Sequence, residues 1–574
     1  MKYLPLLFLA SAWPACSQFS GLSASGDGSV LYFSSRLRLR GSAQSQSRDA
    51  KLFRTRGQSP DLFLAQPRGY PIGWTNSEFY DLAAPQASRD GGMVAYTGAR
   101  GCYGGSGCLT VQTAQGTVAD AGGKPLLQAT GYVNLSPNGQ FAVFFARNTF
   151  GPMVSPSERV ALDTGVRATL PYAIGAGARR RVADDGTVAA LSAGAIHLWQ
   201  PSADQTLSGP SASTGSGVGE PLLLMAADAR RLVYQTAKGL ARWDRQTSSE
   251  EILATGMPPS VSINDDASVV AYVHPTDGQV YLAAPTRRLG TAPEGFREVA
   301  LSGDGRVAFA VTGQGRVLRI DFPSGGVTEL VPRTPWITNS TFPSVEASLY
   351  DALTPGSLIP LVGSGLSAST AIVPNALPRT LGDVSVRIGG MDAAIQSISP
   401  EVVWVQVPWE VPEQEAAAFE YRSGNSPFES GPATVGVQAR SPHPFVTSDP
   451  TNGSYIAAAH QDWSGLVTPT SPARGGEIVS LYFSGLGPVR PTVATGELAP
   501  AANPAQVTGP LRCQFWDGAP NDSQIYFAGL APGMVGIYQV SLEVPLALRL
   551  SPVNVVCDFG IDAPGGFGLM YVAR

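Results

Sequence analysis

Residues 136–144, SPNGQFAVF, set the reading of the first half of the chain. A polar pair, Asn138-Gly139, opens directly into an apolar run. Asn-Gly or Asp-Gly between two alternating runs is a strong hairpin signal, because both residue types tolerate positive φ. Six variants of the stretch occur elsewhere: SGDGSVLYF from 25, SRDGGMVAY from 88, ADDGTVAAL from 183, AADARRLVY from 226, NDDASVVAY from 264 and SGDGRVAFA from 302. The turn position falls at Asp27, Asp90, Asn138, Asp185, Asp228, Asp266 and Asp304, at intervals of 63, 48, 47, 43, 38 and 38 residues. The long first interval should hold inserted loops or an eighth unit.

Several copies are followed by a third strand-like run, such as AIHLWQP from 195, LARWDRQ from 240, VYLAAPT from 280 and VLRIDFP from 317, and then by a weaker fourth run such as GGVTELV from 325. Four short strands every 40 to 50 residues is the period of a propeller blade. Seven copies predict a seven-bladed β-propeller over 18–335. The repeat resembles the TolB-type and WD-like propeller repeat, with LSPNGQFAVFFA from 135 as the nearest copy. That resemblance implies a fold and carries no function, because propellers host binding scaffolds and several enzyme classes. The turn aspartates read as turn chemistry rather than Ca²⁺ ligands, since no copy supplies the closely spaced oxygens a calcium loop needs. The sialidase Asp-box is likewise rejected: after Ser88-Arg89-Asp90, Val94-Ala95 stand where Thr-Trp would be required.

The propeller pattern stops near PRTPWITNSTFPS, 332–344. Beyond it the chain echoes itself. TPGSLIPLVGSGL from 354 matches RGGEIVSLYFSGL from 474, and IGGMDAAIQSISPEVVWVQVPWEVP from 388 matches WDGAPNDSQIYFAGLAPGMVGIYQVSLEVP from 516. Short strands at this spacing predict two immunoglobulin-like β-sandwiches, at 340–441 and 442–574. The motif order resembles the uncharacterised C-terminal domain of secreted acidobacterial proteins, and each module is similar to the IPT/TIG type of immunoglobulin fold. The resemblance implies export and attachment to variable N-terminal partners, and brings no catalytic residue with it. The second copy departs from the usual pattern at WDGAPND, from 516, and in having two cysteines. The expected architecture is thus all-β throughout.

Composition agrees. The 574 residues include 65 Gly and 47 Pro but only 14% charged residues, which favours short strands and tight turns over helix bundles. Thirty-nine basic against 44 acidic residues give a net charge of −5, without a dense basic run. Neither nucleic acid nor an anionic membrane is an expected partner. MKYLPLLFLASAWPACSQ at the N-terminus has the form of a secretory leader, with 1–17 removed at Ala15-Cys16-Ser17. Lipidation of Cys16 is the rival reading. No later run is long enough for a membrane helix. The protein is expected outside the inner membrane: in the periplasm, on the cell surface or released. Four cysteines then remain. Cys102 and Cys108 flank a glycine-rich loop and read as a disulfide, or alternatively as a metal or redox pair. Cys513 and Cys557 are paired with each other by locality, and an oxidising compartment suits both bridges.

Chemistry is harder to find. His197, His274, His443 and His460 are scattered, without HExxH spacing. Neither GSGL from 363 nor FSGLG from 483 has the strand-to-helix context of a nucleophile elbow. The stretch 215–219, GSGVG, has no Lys after it and is no phosphate cradle. Asp184-Asp185 and Asp265-Asp266 fall in the hairpin turns, and Glu250-Glu251 reads as a polar loop. Trp199 and Trp243 occupy equivalent blade positions and read as packing between blades, or as a sugar-stacking surface. No catalytic residue, metal ligand or cofactor is assigned. The expectation is a monomeric, non-enzymatic exported binding or scaffold protein. Its propeller loops would meet a glycan or an envelope protein, and its C-terminal modules would act as spacer or attachment. The alternatives are a secreted propeller glycosidase or polysaccharide lyase, and a periplasmic envelope-complex component of TolB type.

Overall fold

The computed structural model describes residues 19–35, 37–39, 50–56, 60–64, 78–103, 109–145, 157–172, 181–192, 195–208, 210, 212, 222–283, 285–337, 352–429, 434–449, 453–560 and 566–573. The expected leader at 1–17, Cys108 of the first expected disulfide and the glycine-rich stretch 215–219 lie outside them. No α-helix occurs among the described residues. The chain divides into two compact units, Ser17–Thr334 and Pro335–Arg574.

In the first unit, the described strands other than Arg38–Leu39 form seven successive antiparallel sheets, each a meander in chain order. The first holds Phe19–Ala24, Leu31–Ser35, Lys51–Thr55 and Asp61–Leu64; the last holds Phe296–Leu301, Val307–Thr312, Val317–Asp321 and Gly326–Val331. The fourth holds three strands, Val188–Ser192, Ala195–Gln200 and Ala203–Thr206, with a single bridge from Val182 to Val188 in place of a first strand. Apolar side chains from consecutive sheets interdigitate. Val143 and Phe145 meet Val188, Ala190 and Trp199, and the next cluster joins Ile196 and Leu198 to Tyr234 and Trp243. Both tryptophans are 7% exposed and pack between sheets, which leaves no stacking surface for a sugar at either ring.

The last sheet meets the first without exchanging a strand. The Glu298 carboxylate accepts from the backbone N–H groups of Gly21 (3.1 Å) and Leu22 (3.0 Å). Asp304 N–H donates to Gly26 O at 2.7 Å, and Arg319 Nη1 donates to Gly28 O at 2.7 Å. The Arg319 contact recurs around the ring. Arg159 reaches Gly186 O, and Arg242 reaches Ala267 O and Ser268 O, each from the third strand of one sheet to the turn of the next.

The second unit holds two sandwiches with the same strand order. In one, Leu358–Ser364, Val402–Gln406 and Ala394–Ile398 are neighbours; in the other, Ile478–Ser484, Tyr538–Glu543 and Ile525–Leu530 are. The facing sheets correspond too, with Val384–Ile388, Gln414–Ser423 and Thr434–Val437 in the first, and Arg512–Trp516, Val553–Asp558 and Gly566–Met570 in the second. Each sandwich closes over one apolar core. Buried Gln406 helps join them: its Oε1 accepts from Gly496 N–H at 2.6 Å, and Leu358 N–H donates to Gly536 O at 2.9 Å. A disulfide links Cys513 to Cys557, directly opposite in register on adjacent strands.

Candidate functional site

The seven repeat turns converge on one axis. Each begins as a tight loop. Ser25 N–H donates to Val30 O across it, and Gly28 N–H to Ser25 O. The side-chain oxygen at the Asp or Asn position accepts the N–H two residues on, from Ser29, Gly92, Gln140, Thr187, Arg230, Ser268 and Arg306. Only the following residue takes positive φ: Gly28, Gly91, Gly139, Gly186 and Gly305, with Ala229 and Ala267 where no glycine is present. The Asp-Gly pair is therefore not the two-residue turn its sequence suggests. The aspartate serves through its carboxylate rather than through backbone freedom. Ser29 N–H, then the Ser29 and Ser25 hydroxyls, hold the Asp27 carboxyl below its usual range, and the Ser88 hydroxyl and Gly92 N–H do so for Asp90.

Between the Ser and Asp positions lies one residue whose backbone faces the next turn. Gly26 N–H donates to Arg89 O (2.7 Å), Arg89 N–H to Pro137 O (2.5 Å), Asp184 N–H to Ala227 O (2.8 Å), Ala227 N–H to Asp265 O (2.6 Å) and Asp265 N–H to Gly303 O (2.8 Å). Pro137 has no N–H. There the Asn138 side-chain amide donates to Asp184 O instead, at 2.9 Å, and Asn138 N–H donates to Asp184 Oδ1 at 2.8 Å. Gly303 N–H approaches Ser25 O at 3.5 Å and, with the Asp304 bond to Gly26 O, completes a circuit of backbone contacts.

Arg89 bolts this circuit across its middle. Its Nε lies 2.5 Å from Asp265 Oδ2 and its Nη2 2.7 Å from Asp184 Oδ2, so one side chain joins the second, fourth and sixth sheets. Burial alone would lower the guanidinium pKa, but the two carboxylates outweigh it and raise it above its ordinary range. Below lies a cavity of about 40 Å³, lined by first-strand residues such as Leu22, Gln86, Leu135, Leu224, Ile263 and Leu301. Asp184 and Asp265 are both held by the Arg89 cation, and Asp184 also accepts from Asn138 N–H, so these side chains form a structural seal at this end.

The opposite end differs. Strands two and three of the second sheet, Met93–Tyr103 and Leu109–Asp120, stay paired as far as Tyr103 and Leu109. They exceed the 5-residue Phe141–Phe145 of the next sheet by six or more residues, roughly 20 Å of extra strand. The alternation of strand direction puts all second-to-third and fourth-to-first connections at this end. Leu64 and Glu78 are separated by 13 residues, Phe145 and Glu158 by 12, and Thr206 and Leu223 by 16. Connections at the sealed end are short turns.

The other expected residues separate. His197 stacks on Tyr172, with ring centroids 4.3 Å apart, and meets Thr206 Oγ1 at 3.1 Å. His274 lies 3.3 Å from Asp277 on the sixth sheet, and His443 meets Ser441 O. Glu250 and Glu251 are not in a loop. They lie in the strand Ser249–Thr255, where Glu251 pairs with Arg242 at 2.6 Å and Glu250 accepts from the Tyr234 hydroxyl. No group of three or more His, Cys, Asp or Glu able to hold a metal lies together among the described residues, and no helix of theirs is long and apolar enough to cross a membrane.

Sequence reasoning missed the Arg89 bolt. The signal was present: the position between Ser and Asp reads Gly, Arg, Pro, Asp, Ala, Asp, Gly around the repeats, one cation facing two acids.

No family model matches the chain, and no curated protein matches it. Among solved structures it is similar to a chain of the mitotic checkpoint complex, at 11% identity and a TM-score of 0.36, covering 52% of this chain and 86% of that one. It is also similar to the Cps50 (Swd1) β-propeller domain of Myceliophteria thermophila, at 13% identity and a TM-score of 0.30, covering 42% of this chain and 84% of that one.

Proposed function

We propose that residues 18–335 are a seven-bladed β-propeller that recognises its ligand at the end opposite the Arg89 bolt. Residues 340–441 and 442–574 are then immunoglobulin-like modules that hold or space it. The protein is exported, as the leader at 1–17 and the Cys513–Cys557 bridge suggest, and its propeller binds its ligand rather than transforming it. The ligand class is an envelope glycan or an envelope protein. One observation carries the reading: the ring is sealed and stiffened at one end, while the long paired hairpin and the long connections all emerge at the other. A rigid scaffold fixes the strand ends from which these connections depart, and binding residues are disproportionately carried on connections placed in this way.

The test uses the full chain and a variant in which residues 99–114 are replaced by Asn-Gly, so that Gly98 and Gln115 stay opposed as they are now. Both are sedimented with insoluble cell-wall polysaccharides and passed over immobilised envelope proteins. Retention of the full chain, weakened tenfold or more in the variant and unchanged in Arg306→Ala at the sealed end, supports the proposal. Equal retention of both chains, loss in Arg306→Ala alone, or no retention on either matrix overturns it.

A further inference from the structure

The second sandwich carries a group of side chains that its core does not need. His460 Nδ1 lies 2.7 Å from Glu477 Oε1, and His460 Nε2 lies 3.1 Å from Ser471 Oγ. The second Glu477 oxygen accepts from Arg474 N–H at 2.9 Å, which fixes the carboxylate. Reciprocal backbone bonds between Thr468 and Ser471 fix the serine. His460 and Glu477 are largely buried, with side chains 11% and 17% exposed, whereas Ser471 is exposed. Burial alone would raise the Glu477 pKa, but Arg474 N–H and His460 outweigh it and hold the carboxyl ionised below its usual range. The sequence match between the two copies begins at Thr354 and Arg474, and His460 and Ser471 precede that point.

The geometry points to a hydrolytic triad, with Ser471 as nucleophile, His460 as general base and Glu477 as the group that orients it, acting on small carboxylic esters. Each ring nitrogen faces the partner its role requires, and such triads are recognised by geometry and roles rather than by sequence position. With the ring proton on Nδ1, where the Glu477 carboxylate accepts it, Nε2 is an acceptor and the Ser471 hydroxyl its donor; this tautomer is assigned from the partners. The Ser471 carbonyl also lies 3.1 Å from Nε2, so the same ring can rest as a staple on the 468–471 turn.

In the reaction, Ser471 Oγ bonds to the ester carbonyl carbon and its proton passes to Nε2. The tetrahedral adduct then expels the alcohol, which takes the proton from Nε2. Water attacks the acyl-serine, gives a proton to Nε2 and releases the carboxylic acid as that proton returns to Oγ. Trp463 stands three residues after His460 in the same turn. It is 61% exposed, sits at φ 57°, and its N–H donates to His460 O at 3.0 Å. A bulky residue held at positive φ stores strain, and such strain clusters at functional sites.

The full-length protein is incubated with 4-nitrophenyl acetate and, separately, with a fluorophosphonate probe, and the labelled peptide is identified by mass spectrometry. The triad predicts saturable hydrolysis and label on Ser471. Ser471→Ala should abolish both. His460→Gln, whose amide nitrogen can stand near the place of Nε2 and donate to the Ser471 carbonyl, should preserve the fold and lower turnover by about a hundredfold or more. Absence of label on Ser471, or equal turnover in Ser471→Ala, would reduce His460 to a staple and overturn the proposal. Circular dichroism and Tm of each variant separate lost chemistry from lost folding.

Discussion

Asn138 is the one repeat position where an amide replaces the carboxylate, and the residue before it is the one that lacks an N–H. The two facts are linked. The circuit of turn contacts needs a donor to Asp184 O, and the Asn138 side chain supplies it at 2.9 Å. Asn138→Asp should therefore remove a bond and add a carboxylate beside Asp184, at a cost of about 1–2 kcal/mol. Adding Pro137→Ala restores a backbone N–H at the place where the other turns use theirs. The double variant should be more stable than Asn138→Asp alone, by urea unfolding of the first unit. If the double variant is no better, the amide is not standing in for the missing N–H. The sequence displayed Asn138 plainly, but as one more turn former. Its role depends on a backbone partner 46 residues away, in the next turn, and no single repeat encodes that.

At the level of strands and sheets, most of the architecture was legible. Inner strands are buried on both faces and read as apolar runs, as in Phe141–Phe145 and Val307–Thr312. Several fourth strands are mostly exposed, so the apolar signal fades there. Ala203–Thr206 is exposed throughout, and Ser249–Thr255 begins with four exposed residues, which is why Glu250-Glu251 looked like a loop. The His460–Glu477–Ser471 group was illegible for another reason: hairpins fold three residues within an 18-residue span onto one another, with no motif spacing to announce it. The Cys513–Cys557 bridge closes a separation of 44 residues between two core strands. In the chain-entropy account a loop of that size is worth about 4 kcal/mol. Cys513→Ser with Cys557→Ser should lower the stability of the Pro335–Arg574 unit by about 3–4 kcal/mol and leave the Ser17–Thr334 transition where it was. Two-transition urea unfolding, followed by hydrogen exchange of each unit, checks this. A shift in both transitions would mean that the units unfold as one.

Across the whole molecule, the seam between the last and first sheets is the place to test the ring. It is held by the Glu298 carboxylate on Gly21 and Leu22, by the Asp304 turn bond and by the Arg319 contact, with no shared strand. Glu298→Ala removes two bonds to a charged acceptor and should cost about 2–4 kcal/mol. Glu329→Ala, whose side chain is 42% exposed in the same sheet, should cost under about 0.5 kcal/mol. Equal effects would mean that the seam contributes nothing special to closure.

Because every sheet, including those on both sides of the seam, is drawn from one uninterrupted stretch of chain, the ring has no privileged beginning. Joining residues 18 and 334 by a short linker and reopening the chain between two other sheets should leave each sheet whole. The same holds at the level of the gene. The last three turn aspartates are spaced 38 residues apart, so copying or losing one such stretch adds or removes one complete sheet and severs none. A ring closed by a borrowed strand would be cut by the same event. This one can change its number of repeats by ordinary tandem duplication, and it can carry new loops at its open end while the sealed end stays fixed.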